Sequence, residues 1–271
     1  MTEATKALSA PDIYARKGGT PLVVLTAYTT PMAQIVDEYC DIVLVGDSLG
    51  NVVHGLPNTL GVTMDMMILH AKAVMRGVKK AFVVVDMPFG SYESGPIEAY
   101  QNAVRLIKET GASAVKLESG QAVAETIRFL VDRGIPVMGH VGLRPQAVNS
   151  DGGFKAKGRT QSERDIAIDE AIKTDEAGAF AIVIEGVAED LAADITRAVK
   201  APTIGIGASK SCDGQVLVLD DMLGLMDWSP KFVRRYADLR GIVSEAVKSY
   251  AHDVRARRFP SEKETYQVKV K

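Results

Sequence analysis

The sequence predicts a single-domain α/β protein with the (β/α)8 barrel fold. Short runs rich in Val and Ile recur along the chain, and helical patterns lie between most of them. The chain has 271 residues, of which 46% are hydrophobic, so it is long enough to bury a large core. Near-continuous apolar strands that alternate with helices indicate a parallel sheet covered on its outer face. Eight such units in about 230 residues favour a closed barrel over an open sheet.

Eight apolar runs are the candidate strands. Each is short and largely apolar, as expected of strands buried on both faces. In chain order they are 21–28, 41–47, 81–88, 113–118, 135–142, 179–186, 202–208 and 215–223. Their number matches the number of strands in a barrel of this class.

The segments between these runs carry the helical pattern. Apolar residues recur at a spacing of about 3.6 residues, and Gly follows most of the segments. The predicted helices are 64–78, 96–111, 122–134 and 162–178, followed by a last helix at 236–258. A polar tail follows at 260–271. We therefore expect one barrel domain over residues 1–271, with a short amino-terminal extension.

Composition restricts the function classes. With 32 basic and 34 acidic residues, the net charge of −2 gives no attraction to nucleic acid or to anionic lipid, so a small-molecule partner is favoured. Cys40 and Cys212 lie far apart without a CxxC motif, which argues against a disulfide framework and against a zinc site. No segment approaches 18 uncharged apolar residues, so we expect no signal peptide, no membrane span and a cytoplasmic location.

Polar side chains end the predicted strands. In a barrel of this class the carboxyl ends of the strands line the mouth where ligands bind. Because side chains alternate along a strand, Lys116 and Glu118 share one face. The residues at the strand ends are Asp47, Ser48, Asp86, Lys116, Glu118, His140 and Glu185. We expect them to converge on one mouth.

Several inward carboxylates repel one another unless a cation compensates their charge. Oxygen donors without Cys or a close His pair suit Mg²⁺ or a similar hard ion. We therefore expect the carboxylate of Asp47 to bind a metal ion and the hydroxyl of Ser48 to bind an anionic group of the substrate. The glycines that follow would allow a loop to close over the mouth.

Each residue also has a purely structural interpretation. An Asp-Ser pair after a strand is commonly a turn or a helix cap. Lys116 with Glu118 is consistent with a surface ion pair, and His140 with a core histidine bonded to a carbonyl. Glu185 ends an apolar strand, so it is either a general base or an uncompensated carboxylate. The long segments 48–63 and 143–160 are either lids or mobile surface loops.

The motifs together identify a family resemblance. The motifs that carry the resemblance are, in order, "LTAY", "VGDSLGNVVHG", "DMPFGSY", "AVKLESG", "PVMGHVGLRPQ", "GAFAIVIE" and "PTIGIGASKSCDGQVLVLDDMLG". The chain resembles the ketopantoate hydroxymethyltransferase family from about Leu22 to Tyr236. The resemblance implies a barrel of the phosphoenolpyruvate/pyruvate superfamily. It further implies transfer of a hydroxymethyl group from 5,10-methylenetetrahydrofolate to 3-methyl-2-oxobutanoate, which forms 2-dehydropantoate in pantothenate synthesis.

The resemblance also implies a role for each polar residue at the mouth. It puts Mg²⁺ ligands at Asp47 and Asp86, with Glu118 bound to the ion directly or through water. It assigns the proton acceptor to Glu185. The keto-acid contacts that it implies are Asp47, Ser48, Asp86 and Lys116, with His140 as a further residue of the site. Members of the family are typically cytoplasmic homodecamers.

The sequence departs from the family pattern at Thr29, Gly90 and Ser209, where Asp, Met and Gly are usual. These departures concern the folate side of the site more than the metal or the base. One alternative is another metal-dependent carbon–carbon lyase of the same superfamily, although such lyases generally carry a reactive Cys in a mouth loop. A second alternative is a barrel that binds a keto acid without catalysis.

Overall fold

The computed structural model describes residues 7–118, 120 and 123–266, and within them eight parallel strands close into a barrel. Each strand pairs with the next, and the last pairs with the first in the register Leu22↔Gly214. The strands are Leu22–Thr26 (β1), Ile42–Val45 (β2), Phe82–Asp86 (β3), Ala114–Glu118 (β4), Val137–Gly142 (β5), Ala181–Glu185 (β6), Thr203–Ile206 (β7) and Gly214–Leu217 (β8). The predicted barrel is confirmed.

Helices follow most of the strands. They are Ala10–Tyr14 (α1), Thr30–Tyr39 (α2), Leu49–Val52 (α3), Met64–Met75 (α4), Pro96–Thr110 (α5), Val123–Val131 (α6), Val148–Asp151 (α7), Gln161–Glu176 (α8), Glu189–Ala198 (α9), Leu219–Met222 (α10) and Leu239–Arg255 (α11). All five predicted helices are present, although Ala122 lies outside the described residues. The prediction of strand over 215–223 was too long, because β8 ends at Leu217 and the aspartates that follow begin α10.

Burial of the strands explains their sequences. Every residue of β2, β3 and β4 is buried, which is why these strands are largely apolar, with Lys116 as the charged residue inside β4. One apolar cluster fills the inside of the barrel, with Ile42, Val84 and Met138 at most 1% exposed. Charged groups at the ends of these strands therefore lie at the margin of a dry core.

The chain divides into two compact units, Met1–Leu219 and Asp220–Lys271. The first unit contains the barrel. The second contains α11, whose first turn is capped by the Asp238 carboxylate, which accepts the Gly241 N–H at 3.1 Å. The extent of the expected domain, 1–271, stays a prediction, and residues 267–271 of the tail lie outside the described part. Among the described helices, none combines the length and the apolar character that crossing a membrane requires.

Candidate active site

Six of the predicted residues meet at the carboxyl ends of β2 to β6. Five of them are buried, each at most 6% exposed: Asp47, Asp86, Lys116, Glu118 and His140. The side chain of Glu185 is 18% exposed. Register explains the convergence, because Asp86 pairs with Lys116 across β3 and β4, and Glu118 pairs with His140 across β4 and β5. The interpretation of Lys116 with Glu118 as a surface ion pair is therefore wrong.

Asp86 and Lys116 form a buried ion pair. Lys116 Nζ lies 3.0 Å from Asp86 Oδ1, and the backbone N–H of Asp47 donates to Asp86 Oδ2 at 3.0 Å. Burial alone lowers the pKa of Lys116, but the charges of Asp86, Asp47 and Glu118 outweigh burial and raise it. Lys116 is therefore a permanent positive charge inside the mouth.

His140 links Lys116 to Glu185. Its Nδ1 lies 3.4 Å from Lys116 Nζ, and its Nε2 lies 3.2 Å from Glu185 Oε2. Burial and the charge of Lys116 lower the pKa of His140, so the imidazole is neutral at pH 7. An ammonium only donates, and we therefore assign the imidazole proton to Nε2, where it faces the Glu185 carboxylate.

The surroundings of Asp47 and Glu118 oppose ionisation of these two carboxyl groups. Burial, followed by repulsion from Asp86, raises the pKa of Asp47 from 3.8 to about 7. Burial and the charge of Asp47 raise the pKa of Glu118 well above its usual value. The positive charge of Lys116 lowers both pKa values without offsetting these effects. The mouth therefore has an excess of carboxylates that a cation would relieve.

Two residues that the sequence analysis did not single out connect these carboxylates. Gln146, in a 3-10 turn after β5, is buried and donates from Nε2 to Asp47 Oδ2 at 2.9 Å. Tyr92 donates its hydroxyl hydrogen to Gln146 Oε1 at 2.6 Å. Both residues lie within motifs that carry the family resemblance, but a glutamine after a proline in a long segment gives no sign of burial.

Ser48 lies beside the buried group and next to a further residue that was not predicted. Its Oγ lies 2.8 Å from the hydroxyl oxygen of Tyr28, which follows β1. A Cβ at Gly46 would lie 2.8 Å from Ser48 Oγ, so a larger residue there would displace the hydroxyl. The strand end thus keeps the hydroxyl and the carboxylate close together.

A second glycine allows the backbone of Glu185 to pack closely against β5. Gly142, its partner across β5 and β6, has a φ of 97°, which L-residues rarely adopt. A Cβ at Gly142 would lie 2.3 Å from the carbonyl oxygen of Glu185.

The long segments at 48–63 and 143–160 contain α3, α7 and two 3-10 turns. Their role as lids stays a prediction.

The donor set fits a hard divalent ion. Within the described residues, no three His, Cys, Asp or Glu side chains gather closely enough to hold a metal by themselves. Mg²⁺ does not require three, since it is usually bound through one or two carboxylates and retains waters or substrate oxygens. Asp47 and Asp86 are adjacent, buried and mutually repelling, and they supply two such carboxylates.

Comparison with known proteins identifies the family of the chain. The model of the family described as ketopantoate hydroxymethyltransferase matches residues 8–262. A 3-methyl-2-oxobutanoate hydroxymethyltransferase of Phenylobacterium zucineum is 67% identical over 267 residues, which cover 98% of this chain and 97% of the relative. An enzyme of the same name from Hyphomonas neptunium is 68% identical over 258 residues, which cover 95% and 94%.

Solved structures share the barrel at much lower identity. A phosphonopyruvate hydrolase in complex with oxalate and Mg²⁺ superposes with a TM-score of 0.60 at 13% identity, covering 95% of this chain and 93% of the hydrolase. A 2,3-dimethylmalate lyase of the PEP mutase/isocitrate lyase superfamily gives 0.60 at 13%, covering 96% and 93%. These similarities support the fold alone.

Proposed function

The chain belongs to the ketopantoate hydroxymethyltransferase family, and on this premise we propose that it transfers a hydroxymethyl group from 5,10-methylenetetrahydrofolate to 3-methyl-2-oxobutanoate. The product would be 2-dehydropantoate, on the route to pantothenate. The names of relatives at 67% and 68% identity support this assignment. The alternative of a carbon–carbon lyase draws on solved barrels at 13–17% identity, which support the fold alone.

The observation that carries the proposal is the unequal burial of the carboxylates at the mouth. Glu185 keeps 18% of its side chain exposed, whereas Asp47 and Asp86 are buried beside Lys116. A base must reach the substrate, while groups that hold a cation work best out of water. This division supports Glu185 as proton acceptor, with the buried group holding the keto acid.

The cation that we propose is Mg²⁺ or a similar ion, held by Asp47 and Asp86. When bound, it supplies Lewis-acid stabilisation of the negative charge that develops on the keto acid. Glu118 is the third residue expected near the ion. Its two carboxylate oxygens share the Gln146 N–H, at 3.1 and 3.3 Å, and keep lone pairs that can contact the ion directly or through water.

The chain's own residues account for binding and proton transfer. The ammonium of Lys116 attracts the substrate oxygens, and the hydroxyl of Ser48 donates to its carboxylate. Glu185 removes the C3 proton. Water supplies the hydroxyl oxygen, because it releases the methylene carbon of the folate as formaldehyde when both C–N bonds break and tetrahydrofolate leaves. The enolate then forms the C–C bond to this carbon, and the proton held by Glu185 passes to the formaldehyde oxygen. His140, neutral and facing Glu185, orients that carboxylate and stabilises its charge before the transfer.

We further propose a cytoplasmic homodecamer, as expected from the family. Apolar side chains of α11 support assembly, since Ile242, Val247 and Tyr250 are each more than half exposed. Exposed apolar side chains grouped on one helix are typical of interfaces between subunits. Analytical ultracentrifugation that gave a monomer at micromolar concentration would contradict this part of the proposal.

The test is exchange of the C3 proton. The protein is incubated with 3-methyl-2-oxobutanoate and Mg²⁺ in D₂O, without folate, and the C3 resonance is followed by NMR. We expect catalysed exchange that EDTA abolishes. In Glu185→Gln the exchange rate should fall at least about 100-fold while keto-acid binding is retained, because the amide accepts no proton.

A matched variant tests whether loss of a glutamate outside the mouth affects the exchange rate. Glu189→Gln, in the exposed first turn of α9, should exchange at the wild-type rate. Absence of exchange in the wild-type protein would leave only a binding module. Wild-type exchange in Glu185→Gln would remove Glu185 from the reaction. Cleavage of the keto acid, without hydroxymethylated product when the folate is added, would identify the lyase.

A further inference from the structure

A buried glutamine connects the two sides of the mouth. We propose that Gln146 is a positioning residue for the cation, and that it holds the carboxylates of Asp47 and Glu118 apart in fixed orientations. The inference rests on the proposed function, because it presupposes that a divalent cation binds at the mouth. It adds a residue that touches neither substrate nor cation and acts through those that do.

The orientation of the Gln146 amide is fixed by its partners. Tyr92 donates to Oε1, so Nε2 is the atom that faces Asp47 Oδ2 at 2.9 Å and the carbonyl oxygen of Met87 at 3.0 Å. Two acceptors thus take the two hydrogens of Nε2, and the reversed amide would set oxygen against oxygen. Each polar group of this buried side chain is therefore satisfied in one orientation only.

The backbone of Gln146 contacts the second carboxylate. Its N–H donates to Glu118 Oε2 at 3.1 Å and to Oε1 at 3.3 Å, and the Glu118 N–H donates in turn to the Tyr92 hydroxyl oxygen at 3.3 Å. Glu118 therefore anchors the turn that carries Gln146. Glu118 is buried at the mouth, but it is not part of a three-ligand cluster of the described His, Cys, Asp and Glu side chains. Its contact with Gln146 gives a reason for its burial.

The consequence for the cation follows from the atoms that remain. Gln146 engages Oδ2 of Asp47, and within the described part of the chain no hydrogen bond is donated to Oδ1. The Asp47 carboxylate is thus held through Oδ2, and Oδ1 is the oxygen that can bind the cation. Hydrogen bonds of this kind to ligating carboxylates typically change metal affinity about 10–100-fold when they are removed.

The test uses Mn²⁺ alone, because its free-ion EPR signal disappears on binding and reports affinity without catalysis. Gln146→Met keeps the length of the side chain and removes both amide groups. We expect its Mn²⁺ dissociation constant to rise about 10–100-fold relative to wild type. Gln215→Met is the matched control, since Gln215 also donates from Nε2 to a carbonyl, at 2.9 Å, but lies on β8 with an exposed side chain. Its dissociation constant should equal that of wild type.

A second variant keeps the inference testable if Gln146→Met does not fold. Tyr92→Phe removes the hydroxyl that orients the amide, and we expect Mn²⁺ binding to weaken about 2–10-fold. A structural role alone would lower the melting temperature of the metal-free protein. A positioning role lowers instead the increase in melting temperature that Mn²⁺ produces.

The outcomes separate this inference from the proposed function. If wild type binds Mn²⁺ and both Gln146→Met and Tyr92→Phe bind it as tightly, the positioning role is wrong while the proposed function stands. If wild type binds no Mn²⁺, the cation of the proposed function is wrong, and the positioning role with it. Weaker binding in the two variants, with Gln215→Met unchanged, supports the role.

Discussion

Carboxylates lie at both ends of the barrel, and their surroundings are opposite. At the amino end, Asp213 precedes β8 and accepts the N–H groups of Gly18 and Thr203, each at 2.8 Å, and Lys17 Nζ at 2.9 Å. Burial by itself raises the pKa of Asp213, but these donors outweigh burial and hold the pKa below its usual value. This carboxylate joins the starts of β7 and β8 to the segment before β1.

At the mouth, the effects that raise the pKa of Asp47 outweigh the effects that lower it. It accepts from Gln146, but burial, followed by repulsion from Asp86 and Glu185, outweighs this donor and raises its pKa to about 7. The difference lies in the number of donors that each end supplies. One end uses a carboxylate to stabilise the fold, and the other keeps carboxylates in excess at a cost in stability.

Substitution of one aspartate at each end should have opposite consequences. Asp47→Asn should reduce transferase activity about 10³-fold, because a proposed cation ligand is lost. Its free energy of unfolding, without metal, should rise by a few kcal/mol at pH 8, since a repelling buried charge is gone. Asp213→Asn should leave turnover unchanged and lower the free energy of unfolding by about 2–3 kcal/mol. Steady-state rates and urea unfolding measure both quantities.

Two results would break the contrast. Asp47→Asn that is less stable than wild type would mean that this carboxylate supports the fold. Asp213→Asn with impaired turnover but normal stability would place functional importance at the amino end. Asp37→Asn is a second variant for that end, since the Asp37 carboxylate accepts three backbone N–H groups in the segment before β3.

The sequence was sufficient for the barrel and for the acidic residues of the mouth. Largely apolar strands ending in Asp86, Glu118 and Glu185 carry both signals at once, because strand length and alternation fix where the last side chain points. Asp47 lies two residues beyond β2, so its place at the mouth follows from the strand end and not from alternation. Gln146 could not be found in this way. Its importance depends on contacts across the fold from residues 47, 92 and 118, and no local pattern of a polar loop encodes such contacts.

The pH dependence of stability should also differ in sign between the two ends. For Asp47, the unfolded chain ionises near 3.8 and the folded protein near 7, so the folded state binds more protons in this window. Its contribution to stability is therefore lost as the pH rises from about 4 to 7. The pKa of Asp213 is lowered, so its contribution is lost as the pH falls.

Unfolding of metal-free wild type and of Asp47→Asn across pH 4–8 measures this effect. The difference in free energy of unfolding between the two proteins should grow with pH by a few kcal/mol, up to about pH 7. Adding Mg²⁺ should remove the difference at pH 8, because a bound cation favours the ionised carboxylate. A difference independent of pH would mean that Asp47 ionises normally in the folded protein.

Hydroxyl groups give the same contrast at a smaller scale. The hydroxyl of Tyr28 reaches Ser48 Oγ at the mouth, whereas Thr203 Oγ1 donates to Asp213 Oδ2 at 3.1 Å. Tyr28→Phe frees Ser48 to turn away from the substrate, so KM for the keto acid should rise about 2–10-fold with unchanged unfolding. Thr203→Val should keep KM and lose about 1 kcal/mol of stability, because Asp213 loses one donor. If both variants changed KM, or both changed only stability, the mouth would not be specialised for substrate binding and the amino end for stability.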